Sequence, residues 1–221
     1  MVVVKPSLNK LVIYHLYDME EFKRFTLSSI ENEKKSFSER FDRDTEHLSD
    51  EEKEEYFSWI SADYFMIEDV FTQISMRSFI VILFSYIEDG MNMLCNVEYS
   101  DKARYHKKEG LEEFKVKYTD MQGKGIDRAK LYMEKIIGCN LHSDKKPWSE
   151  INTLRKIRNA IVHDNGNADS KLKNDVNFKQ HIHDGRLKLE NHGKIKIEPS
   201  YLDYILDKVR EYFTEIDLKF T

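Results

Sequence analysis

Residues that interrupt helices are scarce in this sequence, and their scarcity constrains the fold more than any other feature. The 221 residues include only three prolines and eight glycines. A sandwich of short strands would need many more such residues at its turns. A chain of this length forms one large domain or a domain with an appendage. We therefore predict a single all-α domain of long helices over residues 1–221.

The N-terminal part of this domain, residues 8–97, is predicted to consist of helices. Apolar residues recur at helical spacing from Leu8 to about Phe41, which is typical of one long helix or two consecutive ones. Residues 42–55 are predicted to form a linker that turns into a helix N-terminus. Ser49 is a good N-cap there, and the acidic residues that follow it suit the helix dipole. This second helix is expected to run to about Ile74.

A third helix is predicted from Ser75 or Met76 to Val97. It is apolar nearly all round between Phe79 and Phe84. A helix that is apolar on every side must be surrounded by other elements. We therefore expect this helix at the centre of the fold.

Residues 98–166 are predicted to combine a basic loop with the helix that carries the main motif. Helical periodicity is visible again at 111–118 and at 126–137. Pro147 is expected to start the motif helix, and Gly166 is expected to stop it. The basic residues of the predicted loop are Lys102, Arg104, His106, Lys107 and Lys108.

Residues 167–221 are predicted to form a small β-hairpin followed by a closing helix. Apolar and charged residues alternate strictly in Arg186–Leu189 and in Lys194–Ile197, and the connection between them contains a glycine. This pattern is typical of a hairpin. Ser200 is then expected to cap an amphipathic helix that runs through Phe220.

No targeting or membrane-spanning segment is predicted. The start, Met1–Lys10, lacks the basic region and the small-residue cleavage site of a signal peptide. The longest apolar run, Phe79–Phe84, is far shorter than the roughly 20 residues that cross a bilayer. Cys95 and Cys139 lie in apolar helical patterns and are expected to be buried and reduced. We therefore expect a cytoplasmic protein without a membrane partner.

The net charge of −5 conceals an uneven distribution along the chain. Residues 1–100 carry 10 basic and 20 acidic residues, whereas residues 101–200 carry 22 basic and 15 acidic residues. Nucleic-acid binding is driven by local positive charge that neutralises phosphates, so the overall acidity does not exclude it. Solvated helix faces would explain the same charge blocks, and both interpretations stay open.

One segment, Arg155–Gly166, carries most of the chemistry in the sequence. On an ideal helix, Leu154, Ile157 and Ile161 fall within about 60° of one another. These three residues are expected to form the core stripe of the motif helix. The opposite side is left for polar residues.

Asn159 and His163 lie on that opposite side, within about 40° of each other, and Arg155 lies close to the same line. Arg158 falls at the edge between the two faces, so it needs its long side chain or a second subunit to reach the same point. The guanidinium fork suits phosphate oxygens, and an imidazole moves protons near neutral pH. These residues predict chemistry on a phosphodiester, in a site that two facing copies would make more complete.

The pattern of Arg158, the polar Asn159 and then His163, five positions after the arginine, resembles the signature of HEPN-domain proteins. Many members of that family are metal-independent ribonucleases. The resemblance implies an up-and-down helical bundle, to which the alternation at residues 186–197 adds one small β-hairpin before the C-terminal helix. It also implies pairing of two chains so that their motif helices meet in a cleft.

The resemblance implies a reaction in which a 2′-hydroxyl attacks the neighbouring phosphorus of RNA and leaves a 2′,3′-cyclic phosphate. His163 would act as general base or acid, and Arg158 would neutralise charge on the phosphoryl oxygens. Asn159 would hold either of them in place. The implied partners are RNA and a second copy of the chain, and no metal or cofactor is implied.

Two further segments look like parts of bacterial proteins of this type. They are the apolar helix Ser78–Cys95 and the helix entry Gly125–Leu131. One position differs: HEPN toxins paired with nucleotidyltransferase antitoxins carry a tyrosine two residues after the histidine, where this chain has Asn165. The resemblance therefore does not extend to inactivation by nucleotidylation.

An RNA-binding surface is predicted on both sides of the motif in the sequence. Tyr99 and Tyr105 lie among the basic residues of the predicted loop, as in surfaces that track a nucleic-acid strand, although a mobile loop would explain this composition equally well. The residues predicted to bind RNA are Arg155, Lys156, Lys102, Arg104, Lys107 and Lys108.

Several functions stay open at this point. The first is an endoribonuclease in a toxin–antitoxin, phage-defence or stress system, and the second is a non-catalytic HEPN-like module that binds RNA or protein. The third is a toxin masked by a separate antitoxin or regulatory protein. A purely structural use is the simplest alternative, because Arg158 and His163 would each stabilise a helix C-terminus by roughly 0.3–1 kcal/mol.

Three other groups of residues are weaker candidates. His181 and His183 lack a third ligand at the spacing of a metal site, and a solvated loop is the expected setting. Glu88 and Asp89 point about 100° apart on a helix, and Glu88 is expected to pair with an arginine of the motif helix. Gln122–Gly125 lacks the spacing of a phosphate-binding loop.

Overall fold

The computed structural model of the protein describes residues 8–216, which form a helical bundle with one two-stranded hairpin before the last helix. The predicted fold class is confirmed. The elements are α1 (Leu8–Thr45), α2 (Asp50–Phe65), α3 (Thr72–Lys108), α4 (Gly125–Tyr132), α5 (Lys146–His163), α6 (Ser170–Lys173), α7 (Val176–His183), β1 (Leu187–Leu189), β2 (Ile195–Ile197) and α8 (Pro199–Glu215).

The helices α2 and α3 form one continuous helix of 59 residues, because a π-helical turn at Met66–Phe71 joins them. At 1.5 Å per residue this helix is roughly 90 Å long. The predicted break near Ile74 is therefore wrong. No proline or glycine occurs between Pro6 and Gly90, so nothing in the sequence ends the helix there.

The turn between α1 and α2 is shorter than the predicted linker at 42–55, because α1 continues to Thr45. Its N-cap is as predicted. The Ser49 hydroxyl accepts a hydrogen bond from the Glu52 amide, and the Ser49 amide donates to the Glu52 carboxylate over 2.8 Å. This reciprocal pair satisfies two amides that the first turn of a helix would otherwise leave free.

The segment 98–108 is the last part of α3, so the predicted basic loop is wrong. Gly110, with φ +68°, follows the end of this helix. The predicted helix at 111–118 is also wrong, because residues 111–117 are irregular and a short 3₁₀ turn follows at Tyr118–Asp120. Phe114 of this segment packs onto the end of α3 instead: its ring lies 5.7 Å from the Tyr99 ring.

The helix α3 lies at the centre of the bundle, as predicted, and contacts α1, α4, α5 and α8. Both cysteines are buried, as predicted, and burial raises the pKa of the Cys95 thiol to about 12. The buried apolar side chains of α3 are Met76, Phe79, Ile80, Leu83, Phe84, Ile87, Met91, Leu94 and Cys95.

The continuous helix Asp50–Lys108 also contains an 18-residue stretch that is long and apolar enough to cross a membrane. Its mean hydropathy is 1.6, and 39% of the stretch is buried inside the protein. The core helix of a soluble protein satisfies the same criterion, so this stretch does not by itself indicate a membrane. It does show that the central helix leaves much apolar surface uncovered.

The hairpin is held on α3 through the side chain of Gln73, which pairs with the backbone of β2. The Gln73 amide nitrogen donates to the Ile197 carbonyl, and the Ile197 amide donates to the Gln73 oxygen, both over 2.9 Å. One helical turn further on, Arg77 donates to the Ile195 carbonyl over 3.0 Å. The strands pair antiparallel with Leu187 opposite Ile197.

The last helix begins at Pro199, with Glu198 in the N-cap position. The predicted cap at Ser200 is therefore wrong, because proline takes the first helical position and the helix starts two residues earlier. The predicted run of this helix through Phe220 is also wrong, because the helix ends at Glu215 and Ile216 has an extended backbone. Within α8 the buried side chains are Tyr201, Leu202, Ile205, Leu206, Val209, Tyr212 and Phe213.

We expect Gln73→Ala to lower the free energy of unfolding by about 2–4 kcal/mol, because it leaves two buried backbone groups of Ile197 without partners. Urea denaturation would measure this change. Asn96→Ala, at an exposed position of the same helix, is the control and should change stability by less than about 0.5 kcal/mol. Equal effects of the two substitutions would show that Gln73 does not hold the hairpin.

Candidate functional site

The motif helix α5 begins at Lys146, with Pro147 in its first turn, and ends at His163. Leu154 and Ile157 are fully buried and Ile161 is half-buried, so the predicted core stripe is confirmed.

The chain leaves α5 through a tight turn. Asn165 and Gly166 both have positive φ, of 53° and 82°, and the Gly166 amide donates to the Ala160 carbonyl over 2.8 Å. Bonds of this kind satisfy the free carbonyls at a helix end.

This exit turn is also tied to the hairpin and to α3. The Ile195 amide donates to the Gly166 carbonyl over 2.8 Å. A Cβ atom on Gly166 would lie 3.2 Å from the Arg77 Cζ atom, so only glycine fits there without displacing that guanidinium. Burial lowers the pKa of Arg77. The end of the motif helix is therefore fixed from two sides.

The three predicted catalytic residues lie at this fixed end, and two of them are in direct contact. Asn159 and His163 are exposed, whereas Arg158 is half-buried. Arg158 Nη1 donates to Asn159 Oδ1 over 3.2 Å, so the amide orients the arginine. Among the described residues, no hydrogen bond joins Asn159 to His163.

The guanidinium of Arg158 rests on the central helix. Its Cζ atom lies 5.8 Å from the centre of the Phe84 ring, a cation–π contact, and its buried Nε has no partner among the described residues. Sequence reasoning missed Phe84 as a support, because this residue looks like any other member of the apolar run.

Arg158 and His163 do not meet in one chain. They are five positions apart on the same helix, so they are separated by about 7.5 Å along the axis and by about 140° around it. The structure therefore brings Arg158 and Asn159 together and leaves the imidazole of His163 open to solvent.

The neighbouring cations of α5 already have acidic partners. Arg155 Nη1 lies 2.6 Å from Asp127 Oδ2, and Lys156 forms an ion pair with Asp175. In the described part of the chain Arg158 pairs with no carboxylate, so among these three it is the cation available to a phosphate. The acidic partners were not predicted, although Asp175 has the typical position of a helix N-cap.

The basic residues at the end of α3 lie far from the motif. Because Phe84 is level with Arg158, Lys102 lies about 27 Å further along the helix. Lys102 donates to the Ile136 carbonyl and lies 4.6 Å from the Phe114 ring centre, and burial lowers its pKa. Arg104 pairs with Asp101 over 2.8 Å, and Lys107 and Lys108 are exposed.

His181 is buried in α7, so the predicted solvated loop is wrong. Its Nε2 lies 2.9 Å from the buried Glu150 carboxylate, which also accepts a hydrogen bond from the Tyr204 hydroxyl over 2.8 Å. This network ties α7 and α8 to the motif helix. No group of three or more His, Cys, Asp and Glu side chains in the region 8–216 is placed to hold a metal ion.

The predicted pairing of Glu88 with an arginine of the motif helix is wrong, because no ion pair joins them within residues 8–216. The Glu88 carboxylate lies against the backbone of Gly125, where an added Cβ atom would be 2.5 Å from Glu88 Oε1. Glycine at this helix entry therefore makes room for the acid, a role that the sequence pattern alone did not indicate.

Apolar side chains remain exposed on α3 near the level of the motif. Such residues spaced three and four positions apart lie on one side of a helix. Val162 of α5, 46% exposed, neighbours His163. The exposed apolar residues of this part of α3 are Ile74, Ile82 and Tyr86.

Comparison with known proteins found no matching family model, no matching curated protein and no matching solved structure.

We expect Asp175→Asn to lower the free energy of unfolding at pH 7 by about 1 kcal/mol, because the ion pair with Lys156 is lost while a cap is kept. Burial alone would raise the pKa of Asp175, but bonds from Lys156, the Phe178 amide and Thr153 hold this pKa below its ordinary value. The charged form is therefore favoured by folding.

The stability difference between the wild type and Asp175→Asn should be complete above about pH 4, the ordinary range of an aspartate. It should shrink as the pH falls further and the folded protein is protonated. Urea denaturation between pH 2.5 and 7 (about five values suffice) would measure it. Asp169→Asn, at the N-cap of α6, is the control, and a difference that grows towards low pH would contradict the assignment.

Proposed function

We propose that this protein is an endoribonuclease of the HEPN type, which cleaves RNA without a metal ion. One observation carries the proposal: two polar groups lie on the last turns of one rigidly held helix. One is a guanidinium that has no carboxylate partner among residues 8–216, and the other is an exposed imidazole. Arg158 supplies the first and His163 the second. The resemblance of the motif supports the reaction class.

In the proposed reaction the 2′-oxygen of a ribose forms a bond to the adjacent phosphorus, and the bond from phosphorus to the 5′-oxygen breaks. The 2′-hydroxyl loses its proton to one imidazole, and the leaving 5′-oxygen gains a proton from another. Arg158 neutralises the charge that grows on the phosphoryl oxygens. The products are a 2′,3′-cyclic phosphate and a 5′-hydroxyl.

This reaction needs two copies of the motif, so we propose a homodimer formed through the motif helices. A twofold axis beside α5 would place His163 of the partner subunit near Arg158 and would supply both an acid and a base. Such a contact would also cover the apolar side chains of Ile82 and Val162. The setting we propose is cytoplasmic, in a toxin–antitoxin, phage-defence or stress system.

A non-catalytic RNA-binding module is the second candidate. It is favoured by the separation of about 35 Å between the motif and the exposed lysines at the end of α3, since such a spread suits binding along a strand. In that case Arg158 and His163 would contact phosphates, and a separate antitoxin or regulatory protein would not be needed to mask an activity.

We expect the purified protein to cleave total RNA in the presence of EDTA. His163→Ala should slow cleavage by about 10²–10⁴-fold, the usual contribution of a general acid or base, and Arg158→Ala should slow it by about 10²-fold or more. His183→Ala, which removes another exposed imidazole, is the matched control. Binding of RNA without any cleavage by the wild type would favour the second candidate.

Mixing two inactive variants tests the proposed dimer. If each site combines the arginine of one chain with the histidine of the other, a mixture of His163→Ala and Arg158→Ala chains contains one intact pair in each mixed dimer. We expect the mixture to cleave faster than either component alone but well below the wild-type rate, because each mixed dimer regains one arginine–histidine pair and keeps only one of the two imidazoles. A mixture no faster than its components would contradict a site that combines the two chains.

A further inference from the structure

We propose that the outward face of α2 is a docking surface for a basic, amphipathic helical segment of another protein. This proposal is independent of the ribonuclease activity. It starts from the helix itself, which has 16 residues and buries none of them. Large exposed apolar surfaces in soluble proteins commonly mark contact sites.

The helix α2 packs against the second half of α1 and forms with it a two-helix projection, residues 28–65, called the arm. Aromatic rings join the two helices: Phe37 and Tyr64 lie 5.4 Å apart, and Phe41 and Phe57 lie 5.8 Å apart. These contacts occupy the side of α2 that faces α1. The opposite side of α2 has no neighbour among the described helices.

That opposite side has a defined composition. Its residues recur at spacings of three and four, which places them on one face of a helix within about 80°. Trp59 stands at its middle and is 76% exposed, and Met66 is 40% exposed. The face consists of Glu52, Glu55, Trp59, Ala62 and Met66. Its first three residues, together with Leu48 and Tyr56, line a surface pocket of about 200 Å³.

Charge decides what can cover this face. Residues 42–55 hold eight acidic residues against two basic ones, and Glu55 makes no ion pair within the part of the chain that the structure describes. An RNA strand, an anionic membrane and the arm of a second copy all carry negative charge, so each would be repelled. A basic protein segment is attracted, and that attraction also speeds association.

The side chains fit such a partner in detail. An arginine or lysine of the partner can lie over the indole of Trp59 as a cation–π pair and reach the carboxylates of Glu52 and Glu55. Apolar side chains of the partner can then cover Ala62 and Met66. The face is about 21 Å long, which suits a helix of similar length lying alongside it.

The test uses a synthetic 18-residue helical peptide with leucine on one face and lysine and arginine on the other. An acidic peptide, with glutamate in place of the basic residues, is the comparison. Tryptophan fluorescence reports on binding, because Trp59 is exposed whereas the other tryptophan, Trp148, is 5% exposed. Isothermal titration measures the affinity of variants that lack Trp59.

We expect the basic peptide to bind and the acidic one not to bind. Trp59→Ala and Glu55→Lys should each weaken binding about tenfold, the loss of one cation–π or charge-assisted contact. Two controls should stay within about twofold: Phe25→Ala, which removes another exposed ring, and Glu109→Lys, an equal charge change outside the arm.

Three results would overturn the proposal. They are failure of the basic peptide to bind, equal weakening by the control variants, and a self-association of the protein that Trp59→Ala abolishes. The last result would identify a second copy as the occupant. Because RNA cleavage is not measured here, the outcome is independent of the proposed function.

Discussion

The position of the motif depends on how strand β2 is attached to the central helix. Gln73 pairs with both backbone groups of Ile197, and Arg77 holds the Ile195 carbonyl. The next bond, from the Ile195 amide to the Gly166 carbonyl, fixes the turn that ends α5. The hairpin therefore acts as a clamp between α3 and the end of the motif helix. A helix end normally frays, and a histidine on a fraying turn would not present one constant geometry.

The charges of the molecule are separated in space as well as in sequence. The arm is strongly acidic, whereas Arg158 of the motif helix and the exposed Lys107 and Lys108 at the end of α3 have no acidic partner among residues 8–216. In the described ranges Arg155 and Lys156 are neutralised by aspartates and Arg158 is not. Local pairing therefore separates the cations of α5 more finely than the net charge of the segment does.

Local patterns in the sequence predicted those parts of the fold that depend on neighbours in the chain. The core stripe of α5, the Ser49 cap and the hairpin were predicted because periodicity, capping and alternation are local properties. The continuous helix from α2 to α3 was missed, since Ser75 resembles a helix start although nothing there stops the preceding helix. The irregular segment 111–117 was missed because Phe114 packs back onto the end of α3, a contact that mimics helical spacing in the sequence.

For the candidate site, the sequence predicted which residues share a helix end but not what surrounds them. The cation–π contact with Phe84, the burial of His181 and the close approach of Glu88 to Gly125 all join residues far apart in the chain. No local pattern encodes such contacts. The angle of about 140° between Arg158 and His163 does follow from their spacing on one helix, and we propose that a second chain brings the two groups together.

A crystal structure with a dinucleotide that carries a 2′-deoxy group at the cleavage position, and so cannot react, would test the central claim most directly. We expect two motif helices to face each other across a twofold axis. The bridging phosphate should then lie within hydrogen-bond distance of Arg158 from one protomer and of His163 of the partner subunit. A phosphate bound away from the end of α5, or a dimer that buries Arg158 without access for RNA, would contradict it.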